Sequence, residues 1–246
     1  MVTKVVPGLL IATQDAAQAA REACNRITKG IQDAIRDRGA ATIALSGGSS
    51  PLDAYRLLAQ ETIAWAKVHV YWVDERAVPP THERSNYAQA KKALLDPAGI
   101  PEANIHRMRG EASDLEIAAS DYAAELRDTV KSKLGGLPSI DVLVLGIGDD
   151  GHTASLFPGE RTMHVTGQLV AAVTAKAERE ARLTVTAPVL ENARSSTIIV
   201  LGKAKHPALE RIWSTNGSVD ETPGRVIRNF RGSICWVIDR AAGGMG

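Results

Sequence analysis

The segment best suited to chemistry is a glycine-rich loop, GIGDDGHTASLFPG, at residues 146–159. It follows an apolar run and places His152 close in sequence to Asp149 and Asp150. Histidine is the side chain best suited to accept a proton near neutral pH, and a neighbouring carboxylate can fix its tautomer. A histidine that only hydrogen-bonds its own loop would produce the same pattern, so the spacing alone makes His152 a candidate general base.

The same loop contains the spacing G-x-G-x-x-G, the nominal fingerprint of a dinucleotide site. Three features argue against that interpretation. Asp149 and Asp150 would bring negative charge to the position where a pyrophosphate needs backbone donors. Pro158 interrupts the helix that should follow, and no acidic residue ends the next strand. We therefore predict that the chain binds no nucleotide cofactor.

A second loop, SGGSSP at residues 46–51, could hold an anion. Gly47 and Gly48 let the backbone approach a ligand, and Ser50 before Pro51 predicts a helix N-cap. Free N–H groups at a helix start, together with serine hydroxyls, form a natural phosphate site. A tight turn into a capped helix would explain the same residues. The candidate ligands in this loop are Ser46, Gly47, Gly48 and Ser49.

A third loop begins with Asp74, Glu75 and Arg76, which close another apolar run. A carboxylate pair and an arginine at a strand end are well placed to contact a substrate. An arginine can hold a phosphate through two parallel hydrogen bonds, which a lysine cannot copy. The alternative is a surface ion pair, with Ser85 capping the helix that follows.

Short apolar runs alternate with amphipathic stretches, and this alternation predicts the framework that positions the loops. Strands are predicted at residues 41–45, 68–73, 140–145, 169–174, 196–201 and 233–238. Helices are predicted at residues 15–38, 51–60, 86–95, 114–134, 203–213 and 223–229. Residues 183–186 indicate one more strand, with an antiparallel pairing as one option. We predict a single α/β domain over residues 1–246, with a mainly parallel sheet covered on both faces. In such sheets ligands bind at the carboxyl ends of strands, where the three loops should meet.

Composition narrows the classes of partner. The 246 residues carry a formal net charge of +1, with 44% hydrophobic and 23% charged residues, typical of a soluble globular protein. There is no basic cluster for a nucleic acid and no apolar run near the roughly 18 residues of a membrane helix. Cys24 and Cys235 form neither a metal spacing nor a disulfide framework, and the other five histidines show no ligand spacing. Since the N-terminus has no signal-peptide pattern, we expect a cytoplasmic protein.

The three loops, in this order, resemble the 6-phosphogluconolactonases, a family related to the glucosamine-6-phosphate isomerases and deaminases. The segments that carry the resemblance are ALSGGSSP, VDERAVPPTHERSNY and GIGDDGHTASLFPG, with weaker agreement in GKAKHPAL and CWVIDRAA. The resemblance implies a Rossmann-like α/β fold without metal or cofactor. It also implies hydrolysis of 6-phospho-D-glucono-1,5-lactone to 6-phospho-D-gluconate, in the oxidative pentose phosphate pathway.

The resemblance also implies roles for individual residues. His152 would activate a water molecule for attack on the lactone carbonyl, and Asp74 or Asp150 would organise the site. Residues implied in holding the phosphate are Ser46, Gly47, Gly48, Ser49, Arg76, Lys176 and Arg182. The family commonly carries a Lys-Pro-Pro run before the strand that begins at Arg182, and this chain lacks the prolines. Lys176 therefore matches only if its loop absorbs one extra residue.

Two other functions stay open. The related deaminases carry tyrosine in place of Arg76 and Asn-Glu-Pro in place of residues 156–158, which here read Leu-Phe-Pro. The missing glutamate argues against a ring-opening isomerisation. A non-catalytic sugar-phosphate sensor would usually carry a DNA-binding segment, for which we see no spare residues. The pattern does not define an oligomeric state.

We predict that hydrolysis requires no metal ion. A hard cation would need roughly six oxygen ligands, and Asp149 and Asp150 supply too few unless Asp74 and Glu75 converge on the same point. Activity should be unchanged after dialysis against EDTA and assay in metal-free buffer. Loss of most activity, restored by Mg²⁺, Mn²⁺ or Zn²⁺, would instead make Asp149 and Asp150 candidate ligands.

Overall fold

The computed structural model describes residues 3–177 and 179–245. In chain order the strands are β1 (Leu9–Thr13), β2 (Ala41–Leu45), β3 (Val68–Trp72), β4 (Asp74–Arg76), β5 (Lys133–Leu134), β6 (Leu137–Pro138), β7 (Val142–Gly146), β8 (Val170–Val173), β9 (Arg182–Val185), β10 (Ser195–Val200) and β11 (Ser233–Asp239). The α-helices are α1 (Ala16–Arg38), α2 (Ser49–Leu58), α3 (Asn86–Ala90), α4 (Asp96–Ala98), α5 (Leu115–Thr129), α6 (Ala187–Glu191) and α7 (His206–Trp213). A π-helical segment, Lys91–Leu95, continues α3, and the predicted helix at 223–229 is a 3₁₀ helix.

Within the described ranges, six strands form a parallel sheet in the order β1-β11-β10-β7-β2-β3. Every residue of β2 is buried, although successive side chains of a strand point to opposite faces. Both faces of the sheet are therefore covered, and α1 packs across its middle strands. The prediction of a mainly parallel α/β sheet with helices on both faces is confirmed.

A smaller antiparallel sheet stands apart from the parallel one, with the order β4-β9-β8. The predicted strand at 169–174 belongs to this sheet, and the segment at 183–186 pairs with it in the antiparallel sense. Strand β4 aligns Arg76 with Arg182. The small sheet therefore brings the loop that begins at Asp74 beside a segment far along the chain.

Two helix starts test the expected caps. Helix α2 begins at Ser49, directly after Gly48, whose backbone has a φ of 91°. The prediction of Ser50 as N-cap is wrong, because the left-handed turn at Gly48 brings the chain into the helix two residues earlier. Ser85 does cap α3, and its hydroxyl accepts a hydrogen bond from the backbone N–H of Ala88 at 3.1 Å.

None of the helices in the described residues is both long and apolar enough to cross a membrane.

A buried carboxylate, Asp141, joins the amino ends of the two strands that lead into the site. Its side chain accepts hydrogen bonds from the backbone N–H and the hydroxyl of Thr42, each at 2.9 Å. Arg38, at the end of α1, donates to the same carboxylate through Nε at 2.9 Å. Since β2 and β7 pair through only Ile43 with Val142 and Ala44 with Leu143, these bonds help fix their relative position.

Replacing Asp141 by alanine should lower the free energy of unfolding by about 2–4 kcal/mol, because the buried N–H and hydroxyl of Thr42 lose their acceptor and Arg38 loses its ion-pair partner. Chemical denaturation followed by circular dichroism measures the change. Asp37→Ala is the control, since Asp37 pairs with Arg36 at the surface, where such pairs contribute at most about 1 kcal/mol. Equal losses in the two variants would contradict the assigned role of Asp141.

Candidate functional site

A cavity of about 200 Å³ opens at the carboxyl ends of β2 and β7, beside β4. All three loops singled out in the sequence contribute to its lining, which consists of Ser46, Gly47, Gly48, Ser49, Ser50, Pro51, Asp74, Arg76, Gly146, Ile147, Gly148, His152, Ala154, Arg182 and Lys205. Of the predicted site residues, Asp150 and Lys176 lie outside this lining. Asp150 nevertheless contacts His152, whereas the amine of Lys176 lies near Glu160.

His152 and Asp150 form a hydrogen-bonded pair. Oδ1 of Asp150 lies 2.6 Å from Nδ1 of His152 and accepts a second hydrogen bond from the backbone N–H of the same histidine at 3.0 Å. Partial burial favours the neutral form of Asp150, but the contacts with His152 outweigh it and lower the pKa of Asp150 to about 2. A carboxylate that stays ionised at neutral pH accepts the Nδ1 proton, which leaves Nε2 as the basic nitrogen.

Gly148 makes the space for this pair. A Cβ atom at Gly148 would lie 2.0 Å from Nδ1 of His152 and 2.7 Å from Oδ1 of Asp150. Both distances are far inside van der Waals contact, so a side chain here would force the pair apart. Gly148, the second glycine of the G-x-G-x-x-G spacing, is therefore needed for the close packing of an imidazole and a carboxylate on the backbone.

Asp74 lines the cavity, and its side-chain contacts are with Ser155, Asn86 and Arg182 rather than with His152. Its carboxylate accepts hydrogen bonds from the hydroxyl of Ser155 at 2.6 Å and from Nδ2 of Asn86 at 3.1 Å. Nη1 of Arg182 lies 3.7 Å from the same carboxylate, and the Arg182 side chain is only 15% exposed. Burial lowers the pKa of Arg182, and the charge of Asp74 opposes that shift. Asp74 thus holds an arginine at the cavity wall.

Three residues that line the cavity have a buried side-chain donor without a partner among the described residues. Ser46 Oγ, Arg76 Nε and Arg182 Nε are buried and have no hydrogen-bond partner within residues 3–177 and 179–245. A buried donor without a partner costs about 1–3 kcal/mol, so an anion that accepted these bonds would be favoured there. The start of α2, at Gly48 and Ser49, supplies further N–H groups. The arrangement is typical of a site for a phosphate or carboxylate.

Lys205 lines the same cavity, and our sequence analysis did not identify it. Its amine lies 2.6 Å from Oδ1 of Asp149. The two acidic residues of the histidine loop therefore have different partners, with Asp149 facing the lysine and Asp150 the histidine. The segment GKAKHPAL carries Lys205, but nothing local in it indicates a position at the cavity.

In the part of the chain that the structure describes, no three His, Cys, Asp or Glu side chains converge as metal ligands.

Lys176 lies on the turn between β8 and β9, and its side chain is 71% exposed. The amine is 3.7 Å from Oε1 of Glu160, which does not line the cavity. Its neighbour Glu178 lies outside the described residues. A role for Lys176 in holding phosphate stays a prediction from the resemblance.

Comparisons with known proteins agree with one another. Residues 14–236 match the family described as glucosamine-6-phosphate isomerases/6-phosphogluconolactonase. A 6-phosphogluconolactonase from Synechocystis sp. is 41% identical over 217 residues, which cover 88% of this chain and 89% of the relative. The solved devB protein is 30% identical with a TM-score of 0.85, covering 96% of this chain and 98% of that one. A monomeric glucosamine-6-phosphate deaminase, 18% identical with a TM-score of 0.81 over 97% of this chain and 100% of that one, shares the fold.

Gly148→Ala should separate His152 from Asp150 and, because the Asp150 carboxylate loses its contacts with His152, raise the pKa of Asp150 above its value of about 2. A pH titration of the side-chain carboxyl signal of Asp150 by NMR measures this change. Gly146→Ala is the matched control, because a Cβ there would meet its nearest atom at 3.9 Å, an ordinary contact. Identical titration curves for Gly148→Ala and the unmodified chain would show that Gly148 does not protect the pair.

Proposed function

This chain belongs to the glucosamine-6-phosphate isomerase/6-phosphogluconolactonase family, and we propose that it hydrolyses 6-phospho-D-glucono-1,5-lactone to 6-phospho-D-gluconate. The observation that carries the proposal is the pairing of His152 with Asp150 at a cavity that is also lined by Arg76 and Arg182, whose Nε donors have no partner in the described part of the chain. The first feature can activate water, and the second can hold a phosphorylated substrate. Relatives that carry the name 6-phosphogluconolactonase support the same reaction.

In the proposed reaction, Nε2 of His152 accepts a proton from a water molecule as its oxygen attacks the lactone carbonyl. The tetrahedral intermediate then collapses, the bond from the carbonyl carbon to the ring oxygen breaks, and the imidazolium returns the proton to that oxygen. Asp150 stabilises the imidazolium between these steps and keeps the ring in one tautomer. Proton transfer of this kind contributes about 10²–10⁴-fold to the rate.

The anionic end of the substrate is proposed to bind Arg76, Arg182 and Lys205, with the start of α2 beside them. These groups do not take part in bond breaking. By fixing the phosphate, they would hold the lactone carbonyl near His152, so that attack becomes effectively unimolecular. Arg76 already donates one hydrogen bond to the carbonyl oxygen of Arg84, at 2.5 Å, which holds its guanidinium in place.

One observation separates this function from the deaminase reaction. The position where the deaminases carry glutamate is Phe157 here, and its ring packs against His152 with 4.5 Å between ring centroids. An apolar ring cannot supply the carboxylate that ring opening would need at this place. The solved deaminase is similar in fold alone. A non-catalytic sensor would have no use for a carboxylate-oriented imidazole at the cavity wall.

The compartment we propose is a reducing cytoplasm, since the structure holds Cys24 and Cys235 as free thiols. Relatives from rice and Arabidopsis thaliana have names that include the word chloroplastic. The reaction itself requires only that the phosphorylated lactone and water reach the cavity.

Replacing His152 by asparagine should lower kcat at least about 10²-fold while leaving the affinity for 6-phosphogluconate nearly unchanged, because only the proton acceptor is removed. The lactone is generated in situ, and its hydrolysis is compared with the spontaneous rate. His164→Asn is the control, since His164 is exposed and pairs with Asp220. If the lactone is hydrolysed no faster with the unmodified chain than without it, the proposed reaction is excluded. Full activity in His152→Asn would exclude only the assigned base.

A further inference from the structure

The proposed mechanism leaves the ring of Phe157 unexplained. Phe157 is 5% exposed and lies in the same loop as His152. The two ring centroids are 4.5 Å apart, with 42° between the ring planes. Because Asp150 holds the imidazole at Nδ1, the phenyl ring is a second contact that limits how the imidazole can turn about that bond. Whatever fixes the phenyl ring therefore also restricts the base.

An arginine on the turn between β8 and β9 holds that ring. The Cζ atom of Arg179 lies 3.9 Å from the Phe157 ring centroid, the geometry of a cation over an aromatic ring. Its Nη2 donates to Oε1 of Glu160 at 3.0 Å and to the carbonyl oxygen of Thr174 at 3.3 Å. The side chains of Arg179 and Glu160 are each 18% exposed, so the ion pair is largely shielded from solvent.

Backbone hydrogen bonds hold Arg179 in one turn and its two partners, Glu160 and Phe157, in another. The N–H of Lys176 donates to the carbonyl oxygen of Arg179 at 2.9 Å, and the N–H of Arg179 donates back at 3.0 Å. The N–H of Glu160 donates to the carbonyl oxygen of Phe157 at 3.2 Å, so these two residues belong to one turn. Arg179 thus joins two closed turns, through an ion pair to one residue and a stack on another.

We propose that Arg179 is a positioning residue for His152. It fixes the ring of Phe157, and the ring keeps the imidazole in the orientation from which Nε2 can activate water. Arg179 does not line the cavity, so the role needs no contact with substrate. The inference rests on the proposed hydrolysis, in which His152 is the base. A small misplacement of a reacting group lowers the rate strongly, by as much as about 10²-fold for 1 Å.

Arg179→Ala should lower kcat about tenfold and leave KM within about twofold, because orientation of the base is impaired while the substrate anchors stay in place. Arg179→Lys keeps the charge and can still pair with Glu160, but it lacks the planar group and should recover little of the rate. Thermal unfolding of each variant verifies that it is folded. An unchanged kcat in Arg179→Ala, or a loss expressed mainly in KM, would overturn the proposal.

A double-mutant cycle tests whether Arg179 acts through Phe157. Phe157→Leu should lower kcat, and adding Arg179→Ala should lower it by no more than about a further twofold. Losses that simply multiply would show independent actions and refute the proposed route. Arg107→Ala is the matched control, because Arg107 lies over the Tyr87 ring at 5.7 Å and pairs with Glu111, away from the cavity. Its kcat should equal that of the unmodified chain.

Measurements without substrate separate this inference from the proposed function. The NMR signals of the His152 ring should broaden or shift in Arg179→Ala and stay unchanged in Arg107→Ala. If the unmodified chain hydrolyses the lactone but neither kcat nor the ring signals respond to Arg179→Ala, the positioning role is wrong. If the unmodified chain fails to hydrolyse the lactone, the proposed function itself is wrong.

Discussion

The geometry of the cavity depends on one buried carboxylate, Glu75. It accepts four hydrogen bonds, from the backbone N–H groups of Arg76, Asn86 and Tyr87 and from the hydroxyl of Ser85. Burial raises the pKa of Glu75, and these bonds oppose that shift. Asn86, fixed in this way, donates to the backbone and side chain of Asp74 and packs where a Cβ on Gly47 would come within 1.7 Å of its Oδ1. Two loops are thereby fitted against each other, and neither can change its backbone alone.

The parallel sheet could be predicted because strands buried on both faces leave nearly continuous apolar runs in the sequence. Strand β2 covers the predicted residues 41–45. Strand β1 was missed because it lies at an edge, where Leu9 and Leu10 are exposed and no buried pattern marks it. Strand β4 was missed for a different reason. Its three charged residues have little intrinsic preference for a strand, and their conformation comes from pairing with β9.

The residues of the site also divide into those that the sequence could predict and those that it could not. His152, Asp149 and Asp150 could be proposed because they lie within one short loop, but the sequence left open which of Asp74, Asp149 and Asp150 orients the imidazole. Only the conformation of the loop, with Gly148 packed beneath the imidazole, decides between them. Lys205 could not be predicted from the spacing of residues within a loop. It lines the cavity, but the segment that carries it is distant in sequence from the other lining residues. Whether a residue of this kind lines the cavity depends on the tertiary fold rather than on its residue type.

The bond between Asp150 and His152 is confined to a three-residue stretch, whereas the groups proposed to hold the anionic end of the substrate come from several distant segments. Substitutions in β9 or near Lys205 could therefore change the substrate that a related chain accepts and leave the proposed proton-transfer pair unchanged. The reverse change, a new reaction on the same anion, would need remodelling of only one loop. This separation is a physical reason why a single fold can diversify into enzymes that share a phosphate-bearing substrate and differ in chemistry.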